Sequence, residues 1–213
     1  MNMTDFILDP EQIEKKSFEI ISDLLGDKKI DPKNSSIIKR VIHTTADFDY
    51  ADNLVFSDNA VEIALNILKK GANIVTDTQM AKSGINKKSL AALNCEIHCF
   101  IDSEEVAALA KEKGVTRSGI AVEYAVQHLE SPIIFVVGNA PTALIKLYEL
   151  ITQNKCEPAL IIGAPVGFVN VVEAKDLIMS LDVPYIVAKG RKGGSNVAAA
   201  MCNALLYEIS KRN

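Results

Sequence analysis

The amino-acid sequence predicts one α/β domain over residues 1–213, a mostly parallel sheet with helices on both faces, and three observations carry that prediction. Short runs that are almost wholly apolar, such as Ile133–Val137 and Tyr185–Ala188, read as strands buried on both sides. Segments of helix length separate them, which is the alternation that right-handed crossovers require. Glycine, proline and polar residues collect just after four of the strands, where the chain must turn into the next helix.

Taken in order, Asp9-Pro10-Glu11-Gln12 opens a helix, with Asp9 as N-cap, Pro10 in the first turn and Gln12 placed to reach back; Gly26 closes it after Leu25. Its apolar stripe is Ile13, Ile20, Ile21 and Leu24. Ser17 falls in the middle of that stripe, where a hydroxyl either bonds back to a carbonyl one turn earlier or faces a ligand. Asp31-Pro32 starts a second helix, expected to run through Arg40-Val41-Ile42-His43-Thr44-Thr45-Ala46-Asp47. Leu54–Phe56 is a short apolar run, after which Ser57 is placed to cap a helix over 58–70, closed by Gly71. The alternation then continues: strand 73–77, helix 87–93, strand 96–101, helices 104–113 and 117–130, strand 133–137, helix 141–152, strand 159–162, helix 171–181, strand 185–188 and helix 195–210.

Composition narrows the functional classes. A net charge of −4 with 48% hydrophobic and 23% charged residues suits an ordinary enzyme and argues against nucleic acid or acidic lipid as a partner. Cys95, Cys99, Cys156 and Cys202 form no C-x-x-C pair, and Met1-Asn2-Met3-Thr4-Asp5 lacks the basic and apolar regions of an export signal, so the expectation is free thiols in the cytoplasm. No apolar run approaches about 18 residues, so no membrane span is expected.

The second helix carries the first candidate for chemistry. Spacings of three and four put Arg40, His43 and Asp47 on one stripe, so a fixed cation, a titratable imidazole and a carboxylate line up. His exchanges a proton near neutral pH, Arg orients an anion and Asp holds a tautomer. The same three residues would equally suit a partly exposed face with an ordinary ion pair. The four polar turns are the second candidate: 76–84, 138–142, 163–168 and 190–195 all lie at carboxyl ends of strands, where helix N-termini attract anions. Arg117 opens a helix against the dipole, a placement that gripping a carboxylate would explain, and Lys175, Lys189, Arg191 and Lys192 add positive charge near that edge. Each turn by itself is also what a tight connection needs.

Rival chemistries lack their motifs. No G-x-G-x-x-G follows a first strand, Gly190-x-x-Gly193-Gly194 has the wrong spacing, and G-x-x-x-x-G-K-[ST] is absent, which leaves a nicotinamide or sugar-phosphate enzyme without its fingerprint. Strand alternation sends Cys95 and Cys99 to one face and His98 to the other, so they do not converge on a metal. His128, near a helix end, suits the dipole there. With no G-x-S-x-G elbow, His43 remains the catalyst candidate.

Arg40-Val41-Ile42-His43, Thr76-Asp77 with Met80 and Gly84-Ile85, Thr116-Arg117-Ser118, Val137 to Leu144, Gly163 to Val169, Glu173 with Lys175, and Gly190 to Ser195 together resemble the precorrin isomerase family, the corrin methylmutases of cobalamin biosynthesis. Ala174 and Gly119 depart from the family's usual Ser and Ala, and His43 to Tyr50 is more similar to the anaerobic, cobalt-containing branch. The resemblance implies an isomerase that moves a methyl group from C-11 to C-12 of precorrin-8X or its cobalt form, giving hydrogenobyrinate or cobyrinate. No cofactor is implied, and no protein-bound metal, because cobalt would arrive inside the substrate. It further implies His43 as proton donor and acceptor, with Arg40, Ser17 and Arg117 as substrate contacts, Arg117 reaching from the partner subunit of a homodimer whose site lies near the interface. With the turns it nominates Asp47, Met80, Ser83, Gly84, Ser118, Asn139, Thr142, Gly167, Arg191 and Gly193 as further contacts. A tetrapyrrole carrier without catalysis is the alternative.

Overall fold

A computed structural model describes residues 7–210; the reading of residues 1–5 as free of an export signal concerns residues outside that range. The elements are α1 (Pro10–Leu25), α2 (Ser35–Thr45), α3 (Tyr50–Asn53), β1 (Leu54–Phe56), α4 (Ala60–Leu68), β2 (Asn73–Thr76), α5 (Gln79–Gly84), α6 (Lys87–Ala92), β3 (Glu96–His98), α7 (Glu104–Lys113), α8 (Arg117–His128), β4 (Ile133–Val137), α9 (Pro141–Thr152), β5 (Leu160–Gly163), α10 (Val171–Met179), β6 (Tyr185–Ala188) and α11 (Ser195–Ser210).

One sheet orders the strands β1-β6-β5-β4-β2-β3, every neighbouring pair parallel except β1 with β6. All five residues of β4 are buried, and their side chains alternate between two cores. Ile134 and Val136 join α2, α4 and α11 on one face, while Ile133, Phe135 and Val137 join α8, α9 and α10 on the other. The expected single α/β layer arrangement, helices on both sides of a mostly parallel sheet, is therefore the observed one. No helix among the described residues is long and apolar enough to cross a membrane.

α11 is buried nearly all round because Ala198, Ala199, Ala200 and Ala204 let its neighbours approach. It packs on α2, α5, α4 and α6 as well as on β4 and β5, so it is the platform under α2. α2 answers with Ile37, Ile38, Val41 and Ile42, all buried, which turns Arg40 and His43 outward.

Several boundaries differ from the sequence reading. The second helix begins at Ser35, because Asp31 Oδ1 accepts from the Lys33 amide in a turn that precedes it, and it ends at Thr45, where Ala46 takes a left-handed conformation (φ 54°). Asp47 is thereby removed from the stripe of Arg40 and His43. Ser57 does not cap α4; its hydroxyl accepts from the Tyr185 amide and its own amide donates to the Tyr185 carbonyl, fastening the loop after β1 to the start of β6. The 76–84 segment is not all turn, since Thr78 caps the short helix α5. On α1 the expected stripe is mostly outside: Ile21 is buried, whereas Ile13, Ile20 and Leu24 are exposed.

Candidate active site

α1 leaves Asp9 as predicted, its carboxylate accepting from the Gln12 amide at 2.9 Å, and lies across the outer face of α2. Between them opens a cleft of about 1370 Å³, lined by α1, by Arg40 and His43 of α2, and by Asn86 and Lys88 at the start of α6. His43 is exposed on the last turn of α2 and packs in a T-shaped arrangement with the Phe18 ring, with ring centroids 5.3 Å apart. One turn earlier, the Arg40 guanidinium lies over Phe18 at 4.7 Å and over Tyr207 at 5.2 Å, and Glu14 Oε1 pairs with its Nη1 at 2.6 Å. The floor is braced by amide side chains: Asn203 accepts from the Asn86 amide and donates to the Gly84 carbonyl, while Asn86 Nδ2 donates to the Tyr207 hydroxyl. Ser17 takes the first of its two expected options and bonds back to the Ile13 carbonyl at 2.8 Å.

The four polar turns do gather at the carboxyl rim of the parallel strands. Asp77, buried at the end of β2, accepts from the amides of Gly138, Asn139 and Ala140 at 2.8, 2.7 and 2.7 Å, which holds the turn after β4 to the turn after β2. Burial pushes its carboxyl above the usual range, and the three amides act against that. Thr78 and Ser195 share a hydroxyl bond at 2.8 Å, and Thr116 donates to Thr142, placing Arg117 and Ser118 beside the same rim. Met80, Ser83, Gly84, Asn139 and Arg191 are exposed there, and Gly167 (φ 144°) turns the chain after β5.

Gly193 is required by a close approach, since a Cβ on it would stand 2.2 Å from the Ala164 carbonyl oxygen and 2.7 Å from that of Pro165. Backbone cannot yield there cheaply. Gly193→Ala is expected to cost about 1–3 kcal/mol, read as a lower urea midpoint with an unchanged slope; an unchanged midpoint would contradict the packing argument.

Lys175, read as positive charge near this edge, does lie beside the 190–195 turn, but completely buried (0% exposed), its ammonium donating to the carbonyls of Gly190 and Lys192 at 2.7 and 2.9 Å. Burial lowers its pKa from 10.5 to about 8. Below that value both folded and unfolded chains hold the proton; from about 8 up to 10.5 the unfolded chain holds more, so this group makes stability rise with pH in that window. Denaturant midpoints of wild type and Lys175→Met should diverge across the window as that rise disappears in the variant, and parallel curves would contradict it. The neutral amine still donates to both carbonyls, so the turn stays tethered.

The same turn reaches α2. Lys192 Nζ bonds Asp47 Oδ2 and Asp49 Oδ2, each at 2.6 Å, and the Lys192 bond holds the Asp47 carboxyl below its usual range. The C-terminal end of α2, and His43 on it, therefore belongs to the rim of the glycine turns. Asp47 serves this clasp rather than the imidazole.

What the structure does not bring together within one chain is Arg117 and His43. Arg117 is exposed on α8, which packs on the opposite face of the sheet from α2, and the small hollow it lines is formed by α7 residues and Val115. The residues that sequence reasoning missed are Glu14, Phe18, Asn86 and Lys88. The signal for the first two was available: they are four apart on α1, hence on one face, opposite Arg40. All four cysteines are free, and His98 Nε2 bonds Asn73 Oδ1 at 2.9 Å on the edge of the sheet.

Comparison with known proteins bears on this geometry. The family described as Precorrin-8X methylmutase matches residues 12–208. The chain is 46% identical over 209 residues to the Cobalt-precorrin-8 methylmutase of Salmonella typhimurium, covering 96% of this chain and 98% of that one. It is 39% identical to the Precorrin-8X methylmutase of Pseudomonas aeruginosa, covering 97% and 99%. The crystal structure of the Thermus thermophilus precorrin-8x methyl mutase superposes with a TM-score of 0.84 at 40% identity, covering 91% of this chain and 95% of that one. Nearly full-length matches of both sequence and fold place the chain in the precorrin-8X methylmutase family of isomerases.

Proposed function

We propose that this chain acts in cobalamin biosynthesis on cobalt-precorrin-8, or on its metal-free counterpart, moving a methyl group from C-11 to C-12 within the ring. The cobalt-bearing substrate is favoured because several of the relatives carry that name, the Salmonella typhimurium enzyme among them. One observation carries the mechanism: His43 stands exposed at the lip of a cleft of about 1370 Å³, with the Arg40 cation one turn away. Ordinary small-molecule pockets hold about 300–1,000 Å³, so there is room for a macrocycle. His43 gives a proton to the conjugated ring system at or near the ring C nitrogen, which makes it electron-poor and eases migration; the imidazole then takes the proton back. Substrate and product have the same atoms, so the rearrangement consumes no methyl donor, nucleotide or reductant.

The charge on the cleft wall supports a homodimer. Within one chain the lining holds Glu11, Glu14, Glu19 and Asp23 against Lys15, Arg40 and Lys88, a poor match for a pigment fringed with carboxylates. The missing cation is the partner subunit's Arg117, since Arg117 of the same chain sits across the sheet. Met80, Val166, Phe168 and Val169, exposed at the rim, offer an apolar face to the ring. On this reading the chain works in the cytoplasm. Anaerobic incubation with both substrates tests it through the visible spectrum, because moving the methyl group alters the conjugation. A spectral change with at least one substrate is expected; binding of both without change would make the chain a tetrapyrrole carrier.

A further inference from the structure

Arg40 already holds a carboxylate where a substrate carboxylate would have to bind. Its guanidinium packs against Phe18 and Tyr207 and pairs with Glu14 at 2.6 Å, with the Arg40 and Glu14 side chains only 17% and 26% exposed. Glu14 and Phe18 both sit on α1, and α1 is the lightly held wall of the cleft. It packs chiefly on α2, it buries Ile21, and Ile13, Ile20 and Leu24 remain exposed. An element with so little buried apolar surface moves at small cost.

We propose that Glu14 is a placeholder carboxylate, which neutralises Arg40 while the cleft is empty and releases it when a carboxylate of the tetrapyrrole arrives. The proposal rests on the reading of this cleft as the methylmutase site. Exchange replaces one charge-assisted pair by another, so the pairing itself contributes little net affinity. The displaced Glu14 then remains beside an anionic ligand, and its charge opposes binding. Glu14 therefore sets how tightly substrate binds and not how fast the methyl group moves, because it has no part in the proton transfer assigned to His43.

The test compares initial rates over a range of cobalt-precorrin-8 concentrations. Glu14→Gln should lower KM by about tenfold, the equivalent of about 1.4 kcal/mol, with kcat unchanged within about twofold. Glu157→Gln is the control, because Glu157 is exposed just before the amino end of β5, away from the cleft and the carboxyl rim; its KM should move by less than about twofold. Glu14→Asp keeps the charge but shortens its reach, so its KM should fall between wild type and Glu14→Gln, which serves if the glutamine variant folds poorly. A raised KM in either Glu14 variant, a fall in kcat at constant KM, or equal KM shifts in Glu14→Gln and Glu157→Gln would overturn the proposal. A wild-type chain that turns over neither substrate would sink the methylmutase reading itself, whereas wild-type turnover with no KM shift sinks the placeholder alone.

Discussion

Replacing His43 by alanine should lower kcat by about 10²–10⁴-fold while leaving substrate affinity within about threefold of wild type. The expected size follows from the role: a positioned acid–base group contributes that range, and among the described residues no other imidazole lines the cleft. Affinity survives because Arg40, Lys88 and the rim turns stay in place. The fold survives too, since His43 is exposed and α2 is held by Ile37, Ile38, Val41 and Ile42 on its other side. Stopped-flow turnover and equilibrium titration of the same variant separate the two quantities. A variant that turns over at the wild-type rate removes His43 from the chemistry; one that loses binding and rate together makes it a binding group.

Asp77→Ala is expected to have the largest effect on stability, about 3–5 kcal/mol, seen as a large fall in the urea midpoint. Asp77 is 7% exposed and its carboxylate accepts three backbone amides at 2.7–2.8 Å, so truncation leaves three donors without their acceptor, two of them in buried bonds. Asn is no rescue, because its amide nitrogen would face donors with a donor. The loss spreads beyond the turn after β4, since Gly138 is packed so closely on Ser195 that a Cβ there would stand 2.6 Å from the Ser195 Cα. A midpoint shift worth less than about 1 kcal/mol would mean that water reaches the three amides after all.

Much of this was legible in the sequence because local chemistry and global packing agree. Asp9 with Pro10, Thr116 before α8 and Pro141 at the start of α9 mark helix starts that the structure keeps, and the five apolar residues of β4 mark the centre of the sheet. The antiparallel pairing of β1 was not legible, since three residues show neither alternation nor direction. The burial of Lys175 was not legible, because charge normally means surface; two carbonyls of one turn, distant in sequence, make it tolerable. Asp47 misled because one left-handed residue, Ala46, breaks a periodicity that the letters continue. At the site, the spacing of His43 and Arg40 was legible, and so was the shared helix face of Glu14 and Phe18; that this face meets Arg40 and His43 depends on how α1 crosses α2, which the sequence does not show.

A crystal structure of the chain with its rearranged tetrapyrrole bound would test the central claim most directly. The account predicts the macrocycle in the cleft between α1 and α2, ring C within about 3.2 Å of the His43 imidazole, and the partner subunit's Arg117 on a side-chain carboxylate. A pigment seated out of reach of His43, against α8 and α9 on the other face of the sheet, would contradict it.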